Sequence, residues 1–181
     1  MISLKPRQYN SMELQIFKTK ILPAKDKLYR IAFNMMRSVA DAEDIIQDVM
    51  VKLWERRGQW DEFQNIEAFA VTITKNLCLD KLKAKRRRGH FDIQDMELDS
   101  GAVSPYQKME LTDSAIKMIN AFDRLPDQQK LLVTLRDIEG FSYEEIAAQT
   151  GLEINNIRVG ISRARKRAKE EYLKVADYEQ Q

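Results

Sequence analysis

Asp41, Asp44 and Asp48 stand at i, i+3 and i+7, with Gln47 beside them, so a helix through this stretch lines three carboxylates along one outer face. Such a row could ligate Mg²⁺ in a nuclease, but a hard divalent ion needs oxygens converging from more than one element, and no second acidic element is placed to supply them. A solvated face, or a docking strip for a basic partner, are the other two readings of the same residues. A second set begins with Asn76 and Asp80, one helical turn apart and able to hydrogen-bond an exposed base. It runs into Lys81, Lys85, Arg86 and Arg88, cations suited to phosphate. Just upstream, Trp60, Phe63 and Phe69 are aromatics on which unstacked bases could rest, although aromatics at such spacing more often belong to a core. The third set is Asn155, Asn156, Arg158, Ser162, Arg163 and Lys166, with Val159 among them, amides and cations able to reach base edges and phosphates from one helix face. Catalytic chemistry has little to stand on. The chain holds one histidine, His90, and one cysteine, Cys78, which rules out an internal disulfide and the usual zinc spacings; a lone His90 in a basic loop makes no credible Ser-His-Asp or Cys-His set, and no glycine-rich phosphate loop is present. No catalytic residue, metal or cofactor is expected.

The elements that must carry these residues are helices. Six glycines and four prolines in 181 residues, long 3.6-residue periodicity and no alternating runs predict an all-α fold. Two helices are expected between Ser11 and Ser38, broken near Pro23, the second burying Leu28, Ile31, Ala32, Met35 and Met36. A helix over Asp41 to Arg57 buries Ile45, Ile46, Val49, Met50, Leu53 and Trp54, with acidic residues at its N-terminus where the dipole favours them. Ile66 to Arg88 forms the next, with Phe69, Ile73, Leu77 and Leu82 inward. Asp92 to Thr112 has linker composition. A flexible stretch of about 22 residues spans roughly 25 Å on average and about 75 Å at full reach, more than the 34 to 36 Å or so of one DNA turn. Beyond it, Ile116, Ile119 and Phe122 share a helix face. Leu125-Pro126 opens another helix, with Pro126 in its first turn and Leu131, Leu132 and Leu135 in the core.

Phe141 to Arg167 then reads as two short helices hinged at Gly151. Ser142 is an N-cap, with Glu144 and Glu145 in the first turn, and Gly151 stops the helix in the left-handed conformation. The following helix buries Ile154, Ile157, Ile161, Ala164 and Ala168 and turns its amides and cations outward. Six basic residues and no acid between Arg158 and Lys169 separate this pattern from an ordinary helical hairpin. Gly160 is out of place in a helix interior, costing about 1 kcal/mol against Ala.

Charge is patterned, although the net is only +2. Six of the eight residues from Lys81 to Arg88 are basic, Asp41 to Glu55 nets minus four, and Asp92 to Ala115 nets minus five. Alternating basic and acidic blocks point to nucleic acid on some surfaces and protein on others. There is no run of about 18 apolar residues and no signal-peptide core, so the expected location is the cytoplasm, with no membrane insertion.

Three of these stretches together resemble a known family. Asp41-Ala-Glu-Asp-Ile-Ile-Gln-Asp-Val-Met-Val-Lys-Leu-Trp54, Asn76 to Arg88, and Leu125-Pro126 with Glu139 to Ala147 and Ile157 to Arg165 are, in that order, similar to the extracytoplasmic-function (ECF) sigma factors, promoter-recognition subunits of bacterial RNA polymerase. The resemblance implies two small helical domains, residues 8–91 and 113–176, joined by a flexible acidic linker, 92–112, the second being a helix-turn-helix domain. It implies that Asp41, Asp44, Gln47, Asp48 and Lys52 dock on the beta-prime clamp helices of core polymerase. Asn76, Asp80, Lys81, Lys85, Arg86 and Arg88 would hold the melted minus-ten element, and the third set would read the minus-thirty-five element. The beta flap and an anti-sigma factor are further implied partners. Phe69 stands where the family often has Trp, and Asn156 and Val159 where it often has Thr and Ser. A stand-alone helix-turn-helix regulator is the rival reading of the residues alone.

Overall fold

The computed structural model describes residues 11–63, 65–88 and 113–178, and every regular element among them is helical. The short α1 (Ser11–Ile16) passes through a wide turn over 17–21 and a tight one at Leu22–Ala24, where Pro23 removes a backbone donor, into α2 (Lys25–Met36). That helix buries Leu28, Ile31, Ala32, Met35 and Met36, as the periodicity predicts. It ends at Arg37, which adopts a left-handed backbone (φ 53°) and donates its N–H to the Phe33 carbonyl at 2.8 Å. Helix α3 (Val39–Glu55) starts at Ser38, whose hydroxyl accepts the Asp41 N–H at 3.2 Å, and α4 (Ile66–Arg87) starts at Asn65, which caps Ala68 N–H at 3.0 Å.

In α4 the buried side chains are Ile66, Ala70, Val71, Thr74, Cys78 and Leu82, whereas Phe69, Ile73 and Leu77 are only half-buried. The expected inward stripe is therefore rotated, with Leu82 alone fully buried from the expected set. The physical reason is close packing on both α2 and α3, which the small residues of α4 allow and its larger ones, displaced to the rim, do not.

The second half contains α5 (Asp113–Asp123), α6 (Asp127–Val133), a wide turn over 134–138, α7 (Tyr143–Thr150) and α8 (Ile154–Tyr178). Pro126 caps α6 from outside with an extended ψ of 143°, one position before the first turn in which it was expected. The linker over 92–112 lies outside the described residues. Gly160 has a packing reason: a Cβ there would stand 2.6 Å from Leu132 Cδ1, so its bare backbone lets α8 approach α6. The two halves share one apolar cluster that runs from Ile21, Leu28 and Val71 to Leu131, Leu135, Phe141 and Ile146. Helix α7 rests on α4.

Candidate nucleic-acid interface

The helix-turn-helix is built as its sequence dictates. Ser142 Oγ accepts the Glu145 N–H at 3.1 Å while the Glu145 carboxylate accepts the Ser142 N–H at 2.7 Å, a reciprocal capping box. The Ser142 backbone bond, followed by its hydroxyl, holds the Glu145 carboxyl below its ordinary pKa. Gly151 closes α7 at φ 71°, and Arg136 braces the approach by donating to the Phe141 carbonyl at 2.7 Å. On α8, Ile157, Ile161 and Ala164 are buried, with Ile154 and Ala168 half-buried. Asn155, Asn156, Arg158, Val159, Ser162, Arg163 and Lys166 are exposed. The six residues of the third set thus share one solvent face.

Not every cation of α8 is equally available. Arg165 forms a two-pronged bond to Asp137, at 3.0 Å from Nε and 2.5 Å from Nη2, which ties α8 to the turn after α6. The Arg158 guanidinium lies 5.1 Å from the Tyr143 ring centre, a cation–π contact that fixes its direction. Lys166 is four-fifths exposed, with only a loose 3.9 Å pairing to Glu170.

The other two sets meet each other. Asp41 is not a free docking residue: its carboxylate takes Lys81 at 2.8 Å and also pairs with Lys85, while Asp44 takes Lys81 at 3.3 Å. Burial opposes ionisation of Asp41, but the two ammonium groups outweigh it and its pKa falls; Lys81 rises correspondingly, its own desolvation being overcome by Asp41 and Asp44. Asp44, Gln47, Asp48 and Lys52 are exposed along α3, as are Asn76, Asp80, Arg86 and Arg88 along α4. A shallow groove of about 490 Å³ joins Asp44, Gln47 and Asp48 to Leu77, Asp80 and Lys81. Asp80 therefore faces the carboxylates of α3 across this groove. Sequence reasoning missed Val51, 56% exposed on the same side of α3, three residues after Asp48. Its signal was an apolar residue in line with a polar strip. It also missed Lys75, which donates to the Gln149 carbonyl of α7 at 3.0 Å.

The upstream aromatics divide. Trp60 is a core residue: it is 5% exposed, donates Nε1–H to the Leu53 carbonyl at 3.1 Å, and its ring lies 6.2 Å from Phe17 and 6.1 Å from Trp54. Phe63 and Phe69 are half-buried and stack on one another at 4.2 Å. Among the described residues, no three His, Cys, Asp or Glu side chains converge as a metal site, and no helix is long and apolar enough to cross a membrane.

Comparison with known proteins decides what this arrangement is. Residues 23–88 match Sigma-70 region 2 and residues 115–167 match Sigma-70 region 4, in that order and together covering about two thirds of the chain. The chain belongs to the sigma-70 family. Its curated relatives include ECF sigma factors. The ECF RNA polymerase sigma factor SigE of Mycolicibacterium smegmatis is 32% identical over 150 residues, 80% of this chain and 57% of that protein. RNA polymerase sigma factor SigV of Bacillus subtilis is 28% identical, covering 82% of this chain and 86% of the relative. The chain spans about half of the length of the first curated relatives it matches. Among solved structures, the sigma factor RpoE of Bartonella quintana, in complex with the anti-sigma factor NepR, superposes with a TM-score of 0.64 at 29% identity, over 89% of this chain and 98% of that one. CnrH, solved with the cytosolic domain of CnrY, gives a TM-score of 0.63 over 92% and 96%, and at 18% identity shows the fold alone. In sigma terms, α2, α3 and α4 lie within region 2, and the capping box, the hinge at Gly151 and the exposed face of α8 lie within region 4.

Proposed function

We propose that this chain directs core RNA polymerase to specific promoters and helps open the minus-ten region, acting as a binding subunit without catalytic residues of its own. The observation that carries this reading is the order of sigma-70 regions 2 and 4 on one chain, the second presenting a solvent-facing recognition helix. Residues 8–91 would form the polymerase- and minus-ten-binding domain, 92–112 the tether, and 113–176 the minus-thirty-five reader. Asn155, Asn156 and Ser162 offer hydrogen bonds to base edges, while Arg158, Arg163 and Lys166 take phosphate or guanine. On α3 the exposed Asp44, Gln47, Asp48 and Lys52 make the docking strip for the beta-prime clamp helices. Asp41 belongs to the strip only through the lysines it holds. Asn76 and Asp80 face an extruded base; extrusion costs a few kcal/mol, so the bound polymerase must make melting favourable.

RpoE of Bartonella quintana was solved with the anti-sigma factor NepR, which supports an anti-sigma factor as a regulator of this chain too. The setting is the cytoplasm, where polymerase and promoter are found. In vitro transcription with purified core polymerase on a randomised promoter library tests the reading: run-off transcripts enriched for a common two-part motif are expected. Tight, specific duplex binding by the isolated chain, with no transcript on adding core polymerase, would establish a stand-alone regulator instead.

A further inference from the structure

Helix α8 carries one large apolar side chain in the middle of an otherwise polar outward face. Val159 is 47% exposed. The residues one turn away on either side are all exposed and polar: Asn155 and Asn156 before it, Ser162 and Arg163 after it. A β-branched side chain gives up rotamer freedom on a helix, and here burial returns nothing for that loss. Nor does Val159 belong to an apolar patch of the kind that docks a protein. The other large apolar residue exposed along α8, Leu173, lies about four turns further on, roughly 21 Å along the axis.

The rotation of α8 is fixed from behind. Ile157, Ile161 and Ala164 are buried, and Gly160 backs onto Leu132, where a Cβ would stand 2.6 Å from Cδ1. At about 100° per residue, the side opposite this core is the line Asn155, Val159, Ser162 and Lys166, each within roughly 30° of straight outward. Asn156 and Arg163 stand to one side of that line. Arg158 stands to the other, where its guanidinium lies 5.1 Å from the Tyr143 ring centre. The part of α8 that meets a major groove squarely therefore presents an amide, then an isopropyl group, then a hydroxyl and an ammonium. A recognition helix reads base edges with its N-terminal residues, and Asn155 and Val159 lie in the first two turns of α8.

Each of these two groups has a counterpart in the groove. A side-chain amide bonds to N6 and N7 of adenine together, and the apolar group on a major-groove edge is the C5 methyl of thymine. Four residues of helix rise by about 6 Å, against about 3.4 Å per base pair. We infer that Val159 is a specificity residue, its isopropyl group packing on the C5 methyl of a thymine one or two base pairs from an adenine held by Asn155. This rests on the reading of α8 as the duplex reader and adds to it a base type, a reading group and a spacing.

The experiment starts from randomised duplexes. The full chain with core polymerase selects its preferred upstream element by run-off transcription, and the full chain alone selects by retention on a filter. Each thymine of the selected element, on either strand, is then replaced singly by deoxyuridine, which keeps the pairing edge and removes only the methyl. Wild type should bind deoxyuridine about fourfold more weakly than thymine at one position, the worth of one buried methyl group. Val159→Ser should abolish that difference, and Val159→Thr, which keeps one branch methyl, should retain part of it. Asn155→Ala should relax the preference for adenine within two base pairs of the same position. If no thymine responds to loss of its methyl, or if the response persists in Val159→Ser, the assignment is overturned while the transcripts still uphold the sigma reading. Methyl-sensitive, Val159-dependent binding by the full chain alone, with no transcript on adding core polymerase, refutes the sigma reading and leaves the assignment standing. Failure to select any duplex, with or without polymerase, overturns both.

Discussion

Replacing Asp41 by Asn separates a docking residue from a scaffold residue. The carboxylate is 17% exposed and holds two ammonium groups, those of Lys81 (30% exposed) and Lys85 (38%). Pairs this accessible to water are worth roughly 0.5–1 kcal/mol each after screening. The negative charge in the first turn of α3 adds about 0.5 kcal/mol against the helix dipole. Asn keeps an oxygen that can still accept from one lysine, so the net loss should be about 1–1.5 kcal/mol. Urea denaturation at neutral pH measures it as a lower midpoint at unchanged slope. The pH dependence has a definite sign. Because folding lowers the Asp41 pKa, its contribution is fully present above the unfolded carboxyl value of about 3.9 and disappears as pH falls through the lower folded value. The gap between wild type and Asp41→Asn should therefore be constant from pH 7 to about 5 and close only in strong acid. Core polymerase affinity of the folded variant should stay within about threefold of wild type, a change worth less than 1 kcal/mol. If Asp41→Asn leaves the urea midpoint unmoved and weakens polymerase binding as much as loss of Asp44 does, Asp41 is a docking residue and the scaffold argument fails.

Asp48→Arg reverses an exposed carboxylate on α3 and should weaken polymerase binding at least tenfold, by about 1.4 kcal/mol or more, while electrophoretic mobility shifts of minus-thirty-five duplex stay unchanged. Lys166→Ala should lower affinity about equally for all duplexes and flatten the log–log salt slope by about one unit; Asn155→Ala or Asn156→Ala should instead alter sequence preference in a selection assay. Gly160→Ala gains about 1 kcal/mol of helix propensity but forces a methyl to within 2.6 Å of buried Leu132, an overpacking cost of about 1–3 kcal/mol. Calorimetry should show a net lower Tm, and a higher one would mean that α8 is free to move off α6.

Local signals carried much of the fold. Ser142, Glu145 and Gly151 bracket α7 through hydrogen bonds that reach only three or four residues, so their pattern could be read along the chain. The apolar stripe of α8 was legible for the same reason, since only one of its faces meets protein. Helix α4 was misread where it is covered on two sides: Ala70 and Thr74 are ordinary in sequence, and their burial follows from how near α2 and α3 come, whereas Cys78 is buried as a small core residue should be. Trp60 is buried, as aromatics at such spacing more often are, but its partners lie beyond the sequence. Its indole N–H finds the Leu53 carbonyl and its ring finds Phe17, contacts that no spacing rule specifies. Nor could composition reveal that Lys81 and Lys85 already hold Asp41, because the two blocks lie some forty residues apart.

That pairing changes what the basic block from Lys81 to Arg88 means. Read along the chain, it is a run of cations awaiting phosphate. In the fold, Lys81 and Lys85 answer to α3 and Arg86 to Asp127, so a DNA strand binds there only by exchanging acceptors. Exchange returns less free energy than capture of a free phosphate, because each new charge-assisted bond replaces an old one. On α8 the exposed Arg163 and Lys166 make no such trade with the first half. On the proposed reading the two DNA-reading ends differ in kind: the proposed duplex-reading face of α8 stands exposed, whereas the proposed single-strand reader on α4 would gain its phosphate ligands only when another contact takes over their carboxylates. The proposed docking on α3 beside Asp44 would do that for Lys81, and would link polymerase binding to minus-ten capture through one shared lysine.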